Sequence, residues 1–209
     1  MKAFIMVLAT SLSFALTAVA AEAPRFGAYF GYDWMKFNPD TANISSFHAN
    51  GGSGQFMYSF HKGLGVAFDV GVVTKDTFGS ILSNRQAHFL LGPRYGFYNR
   101  SRFTPFVEVL FGGARGSVSV DLNQVQEVFP SSSITLPNDV SARLTASRTS
   151  FAMMAGGGLD IRLTEKVISW RLFDADYYLV RPNSLITGQD VNKNNVRLTT
   201  GIKFTWGAD

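Results

Sequence analysis

The sequence predicts an all-β protein: one closed, eight-stranded antiparallel up-and-down transmembrane β-barrel. Three observations lead there. The chain opens like an exported protein, its body repeats a two-residue alternation of large apolar and small or polar side chains, and the spacers between those runs alternate between short and long.

The opening segment, MKAFIMVLATSLSFALTAVAAEA, has a basic Lys2, an apolar run from Ala3 to Leu16, and small residues at Ala18 and Ala20. That is the build of a secretory signal peptide. Cleavage is expected after Ala20, since a cut after Ala23 would leave Pro24 at the first mature position. The run is shorter than the roughly 20 apolar residues of a spanning helix and contains Thr10, Ser11 and Ser13, which disfavours a membrane anchor. Residues 1–20 are therefore read as signal peptide and 21–209 as a single barrel domain.

Composition narrows the function. With no cysteine, disulfides and thiolate metal sites are excluded. Loss of Lys2 leaves 18 basic against 15 acidic residues, a small and dispersed excess, so no nucleic-acid partner is expected. Charged residues are 16%, below the roughly 25% of ordinary soluble domains, while the chain holds 20 glycines and 19 phenylalanines. Few charges and many aromatics suit strands that face lipid.

The strands follow in order. In the first, Ala28, Phe30, Tyr32 and Trp34 alternate with Gly27, Tyr29, Gly31 and Asp33; in the second, Phe56, Tyr58 and Phe60 alternate with Gln55, Met57 and Ser59. The third is the clearest, with Leu64, Val66, Phe68, Val70 and Val72 interleaved with Gly65, Ala67, Asp69 and Gly71. The fourth sets Phe89, Leu91 and Tyr95 against Leu90, Gly92, Arg94 and Gly96, and the fifth sets Val107, Val109 and Phe111 against Phe106, Glu108 and Leu110. Pro93 and Pro105 within these two runs count against the assignment, because proline cannot donate to a ladder. In the sixth, Phe151, Met153 and Ala155 oppose Ala152, Met154 and Gly156, with Leu159 and Ile161 opposing Asp160 and Arg162. The seventh begins with Ile168, Trp170 and Leu172 outward, and unbroken parity would then point Asp174 and Asp176 at lipid; a bulge near Phe173 restores the phase. The eighth sets Val196, Leu198, Ile202 and Phe204 against Arg197, Thr199 and Lys203.

Short turns are expected at residues 61–63, 99–102 and 163–166, and long loops at 38–52, 75–84, 117–147 and 181–194. Turns on one side and loops on the other is the layout of a bacterial outer-membrane barrel with both termini in the periplasm. Phe26, Phe60, Phe97, Tyr98, Phe103, Trp170, Phe204 and Trp206 gather at the short-turn ends as an interfacial girdle.

Taken together, LGPRYGFYNRSRFTPFVEVLFGGARG, AGGGLDIRLTEKVISWRLFDADYYLVR and NNVRLTTGIKFTW, in that order, resemble the OmpA-type and OmpX-type eight-stranded outer-membrane β-barrel domain proteins. The resemblance spans nearly the whole mature chain. It implies a closed barrel in the outer membrane, a polar plugged interior, variable surface loops, no catalytic activity and no cofactor. The chain departs from the pattern by adding Gly207, Ala208 and Asp209 after Trp206, where such chains commonly stop on an aromatic residue. No peptidoglycan-binding domain is expected to follow.

The candidate site is the barrel interior, with Asp33, Asp69, Glu108 and Asp160 as acids and Arg94, Arg162, Arg171, Arg197 and Lys203 as bases. Eight strands leave room for little beyond side chains, so these groups are expected to pair with one another. A narrow pore for ions or small solutes is the second reading. A lipid A-modifying enzyme is the third, since His88 with Ser83 or Asp76 evokes a catalytic set, although LSNRQAHF lacks such enzymes' motifs and His88 is expected at the surface. A soluble lipocalin-like barrel comes fourth and conflicts with the apolar outer faces. His48 and His61 are placed in a long loop and a short turn, without metal-ligand spacing. The GGG at 156–158 sits in a strand and opens no helix, so it is no phosphate loop. The expected partners are outer-membrane lipid and an extracellular ligand met through the loops, chiefly residues 117–147, whose ends alternate well enough to prolong strands five and six. A monomer is expected.

Overall fold

A computed structural model describes residues 23–38, 46–77, 82–121, 143–164, 167–181 and 193–207. They form eight strands: β1 (Phe26–Phe37), β2 (Phe47–His61), β3 (Leu64–Thr77), β4 (Leu82–Gly96), β5 (Phe103–Asp121), β6 (Arg143–Arg162), β7 (Ile168–Arg181) and β8 (Lys193–Trp206). Each pairs antiparallel with its sequence neighbours, and β1 closes on β8 from Phe26↔Trp206 to Lys36↔Val196. Closure leaves no sheet edge within the barrel wall, so its backbone groups are paired, as a bilayer requires.

The two-residue alternation decides which side chains face lipid. Phe30, Phe56, Phe68, Val70, Leu91 and Val107 point outward, while Asp33, Gln55, Asp69, Arg94 and Glu108 are buried in the lumen. At the expected break in β7, the ladder shifts register between Leu159 and Asp160 on β6 and between Arg171 and Asp174 on β7. Leu172 and Phe173 are both exposed, and Asp174 and Asp176 return to the lumen. One extra residue thus keeps two carboxylates out of lipid.

The prolines sit where the ladder tolerates them. Pairing of β4 with β5 passes from Leu91↔Phe111 to Arg94↔Glu108, skipping Gly92 and Pro93. Pro105 lies beyond the last β4 pair, Gly96↔Phe106, with its carbonyl accepting from Phe97 N at 2.9 Å. The β2–β3 turn is Lys62–Gly63, with φ of 41° and 88°. Two successive positive φ values are what a twisted two-residue hairpin needs, which accounts for the glycine.

Several expectations need correction. Strand β2 begins at Phe47, paired with Phe37, so residues 47–52 are strand and His48 stacks on Trp34 at 4.8 Å instead of lying in a loop. Its FHANGGSG stretch lacks apolar periodicity, but ladder pairing needs only backbone. Most of the expected 75–84 loop is likewise strand, up to Thr77↔Leu82. In the 117–147 segment, β5 and β6 stay paired to Asp121↔Arg143, as their alternating ends suggested. The signal peptide, residues 122–142, residues 182–192 of the expected 181–194 loop, and the last two residues lie outside the described residues.

At the seam, Phe26, Tyr58 and Trp206 cluster, with ring centroids 5.3 and 6.1 Å from Phe26. Phe60, Phe103, Trp170 and Phe204 are exposed at the same end, as a girdle requires. Tyr98 is the exception: its ring turns towards the lumen, its hydroxyl 3.5 Å from Lys203 Nζ.

Candidate functional site in the barrel lumen

The lumen holds two ionic groups joined by Gln55. Nearer the short turns, Asp160 of β6 receives Lys203 Nζ at 2.7 Å, Arg171 Nε at 3.0 Å and Arg94 Nη2 at 3.5 Å. Arg94 also donates to Glu108 Oε2 at 2.6 Å, and Arg171 to Asp174 Oδ2 at 3.0 Å. Five strands thereby contribute to one connected set. Phe106 projects between the guanidinium groups, Arg94 lying 3.6 Å and Arg171 4.4 Å from its ring centroid. Such stacking is strongest where the cation is stripped of water.

Deeper towards the long loops, Arg197 of β8 reaches across the lumen. It donates to Asp69 Oδ1 at 3.2 Å, to Asp33 Oδ1 at 3.4 Å and to Ser53 Oγ at 2.8 Å. Ser53 in turn donates to Asp33 Oδ1 at 2.7 Å, and His88 Nε2 bonds Asp69 Oδ1 at 2.7 Å. The Gln55 amide bridges the groups: it accepts from Arg94 and Arg171 at 3.1 and 3.2 Å and donates to Glu108 at 2.8 Å on one side, and donates to Asp69 Oδ2 at 3.5 Å on the other. Beyond this, Met35, Ala49, Val73 and Val180 form an apolar layer near the long-loop ends of their strands.

Of the nine residues expected in the interior network, eight are buried there: Asp33, Asp69, Arg94, Glu108, Asp160, Arg171, Arg197 and Lys203. Arg162 is not among them; it sits at the rim and donates to the Asn99 carbonyl at 3.2 Å, because β6 ends there and the barrel opens. His88 is a further correction. Its side chain is buried on Asp69 beside the Tyr178 ring, not at the surface, since its register opposite Gly71 gives it the inward parity of Leu90. Ser83 pairs with Asp76, five residues along β4 from His88 or about 17 Å at strand rise, so the imagined catalytic set does not assemble. Asp174 and Asp176 also belong to the site, and the bulge near Phe173 is the sequence signal that both turn inward. Gln55 and Ser53 carried no signal beyond parity.

An alternating wall with lipid outside and paired charge inside defines a class, the small outer-membrane β-barrel. The chain belongs to the outer membrane protein beta-barrel domain family, which residues 5–204 match. No curated protein sequence matches the chain. Among solved structures it is similar to Neisserial surface protein A, with a TM-score of 0.57 and 15% identity over 87% of this chain and 97% of that one. It is similar also to Ail, the attachment invasion locus protein of Yersinia pestis, with a TM-score of 0.53 and 14% identity over 87% of this chain and 99% of that one. At such identities the likeness concerns fold. The protein is thus a bacterial outer-membrane barrel.

Proposed function

We propose that the protein is a non-enzymatic, non-conducting outer-membrane barrel that acts from its outer face, as an envelope component and a recognition surface. The observation that carries this reading is the cross-lumen network, in which Arg94, Arg171 and Arg197 each pair with an acid on another strand and Gln55 ties the groups together. An ion crossing the barrel would have to break several buried charge-assisted bonds at once, each left partner then being costly. His88 supports the non-enzymatic part: it is committed to Asp69, while Ser53, the serine within the network, donates to Asp33.

The recognition part draws on β5 and β6. Residues 143–150 of β6 pair with β5 but lie beyond the first β7 pair, Phe151↔Arg181. On its other side β5 stays paired with β4 as far as Val120↔Leu82, and a sheet extension of that kind can present main-chain groups and side chains to an extracellular partner. The apolar outer wall meets outer-membrane lipid, and closure of β1 on β8 leaves a monomer complete.

Purified protein in planar bilayers tests the plug. No sustained conductance is expected. Steady porin-sized currents would overturn the reading and make the barrel a pore.

A further inference from the structure

The lumen is short of positive charge. Among the described residues, six carboxylates are buried there, Asp33, Asp69, Glu108, Asp160, Asp174 and Asp176, against four permanent cations, Arg94, Arg171, Arg197 and Lys203, and the imidazole of His88. Buried charge is strongly unfavourable unless it is compensated. The deficit is local. Asp160 is met by three cations and Asp69 by Arg197 and His88. Asp176 has only Arg197 Nη1 at 3.8 Å, and neither of its oxygens accepts a hydrogen bond among the described residues. Asp174 places Oδ2 on Arg171 but leaves Oδ1 unbonded.

Backbone register brings these acids together. Glu108 of β5 lies opposite Gly156 of β6, which lies opposite Asp176 of β7, and Gly158 lies opposite Asp174. Gly156 and Gly158 share the inward parity of Met154 and Asp160, so no β6 side chain stands between Glu108 and the two β7 acids. A Cβ on Gly156 would fall 2.3 Å from Asp176 Oδ1. One oxygen each from Glu108, Asp174 and Asp176 lies within 4.8 Å of the others. Oxygens around Ca²⁺, at 2.3–2.6 Å from the ion, are separated by up to about 5 Å, and Ca²⁺ accepts the irregular geometry of a protein-only cage where Mg²⁺ demands a near-ideal octahedron and keeps its waters.

We propose that this buried carboxylate cluster binds one calcium ion, held by Glu108, Asp174 and Asp176. Three carboxylates without nitrogen or sulfur ligands form a hard donor set, and a divalent charge offsets the excess of six acids over four permanent cations. Each acid faces an arginine, Arg94 on Glu108 Oε2, Arg171 on Asp174 Oδ2 and Arg197 beside Asp176 Oδ2, while Asp174 Oδ1 and both Asp176 oxygens accept no hydrogen bond among the described residues. Glu108 Oε1 also accepts from Gln55 Nε2 at 2.8 Å. The ion ties β5 to β7 across the glycines of β6.

The test is refolding of the barrel from denaturant into neutral detergent free of lipopolysaccharide, with CaCl₂ or with EDTA, because a sealed lumen must take up its ion while closing. Bound calcium is measured by mass spectrometry after gel filtration, and the unfolding temperature from gel mobility. The wild type is expected to retain about one equivalent of calcium and to unfold at a higher temperature with calcium than with EDTA. The Asp174→Asn/Asp176→Asn variant is expected to lose that equivalent and to unfold at the same temperature in both. Should the double variant not fold, Glu108→Gln takes its place. A wild type that retains no more calcium than the variant, or whose unfolding temperature ignores calcium, overturns the proposal and leaves protons to neutralise the acids.

Discussion

Replacing Arg171 with methionine is expected to lower the folding free energy by about 3–5 kcal/mol, because breaking a buried ion pair from one side leaves its partners charged and unpaired. Arg171 is fully buried and serves Asp160, Asp174 and the Gln55 carbonyl at once, with its guanidinium 4.1 Å from the Tyr29 ring centroid. Methionine keeps much of the volume and none of the donors. The loss measures the stranded acids, not the net worth of the network, since apolar replacement of a whole ionic set is often neutral or stabilising. Equilibrium urea unfolding in lipid vesicles checks it, and an unchanged free energy would mean that Asp160 and Asp174 do not depend on this guanidinium.

Replacing Val70 with arginine is expected to destabilise the barrel by about 2–4 kcal/mol, the cost of a cation on the lipid face near mid-bilayer. Val70 is 42% exposed, sits centrally in β3 and pairs with Gly54 and Phe89. The neighbouring Asp69 is 1% exposed, so one step along the strand exchanges lipid for ionic lumen. The same unfolding measurement decides it, and a neutral outcome would invert the assignment of faces.

These two residues also show what was legible in the sequence. Val70 and Asp69 declare their faces because β3 alternates without interruption and a one-residue step reverses every side chain. Strand β7 breaks the alternation, and its bulge was recoverable because Asp174 and Asp176 could not lie in lipid. Less could be read where the side chains carry no period. The upper half of β2, rich in glycine and serine, resembles loop composition, yet pairs through its backbone with β1 and β3. His88 was misplaced because the wall continues past the point at which the apolar signal weakens. Arg162 shared the parity of the lumen residues but lies where β6 ends, and parity says nothing about depth. The convergence of Glu108 with Asp176 across Gly156 depends on the register of three strands, which no single run of sequence displays.

The most direct test of the account is the gel mobility of the outer-membrane fraction before and after boiling. A closed eight-stranded barrel whose wall has no free edge and whose lumen is internally paired resists detergent at room temperature and unfolds only on heating. The account predicts recovery with the outer membrane and distinct mobilities for the unboiled and boiled protein. Recovery as a soluble periplasmic protein, or a single mobility under both conditions, would contradict it.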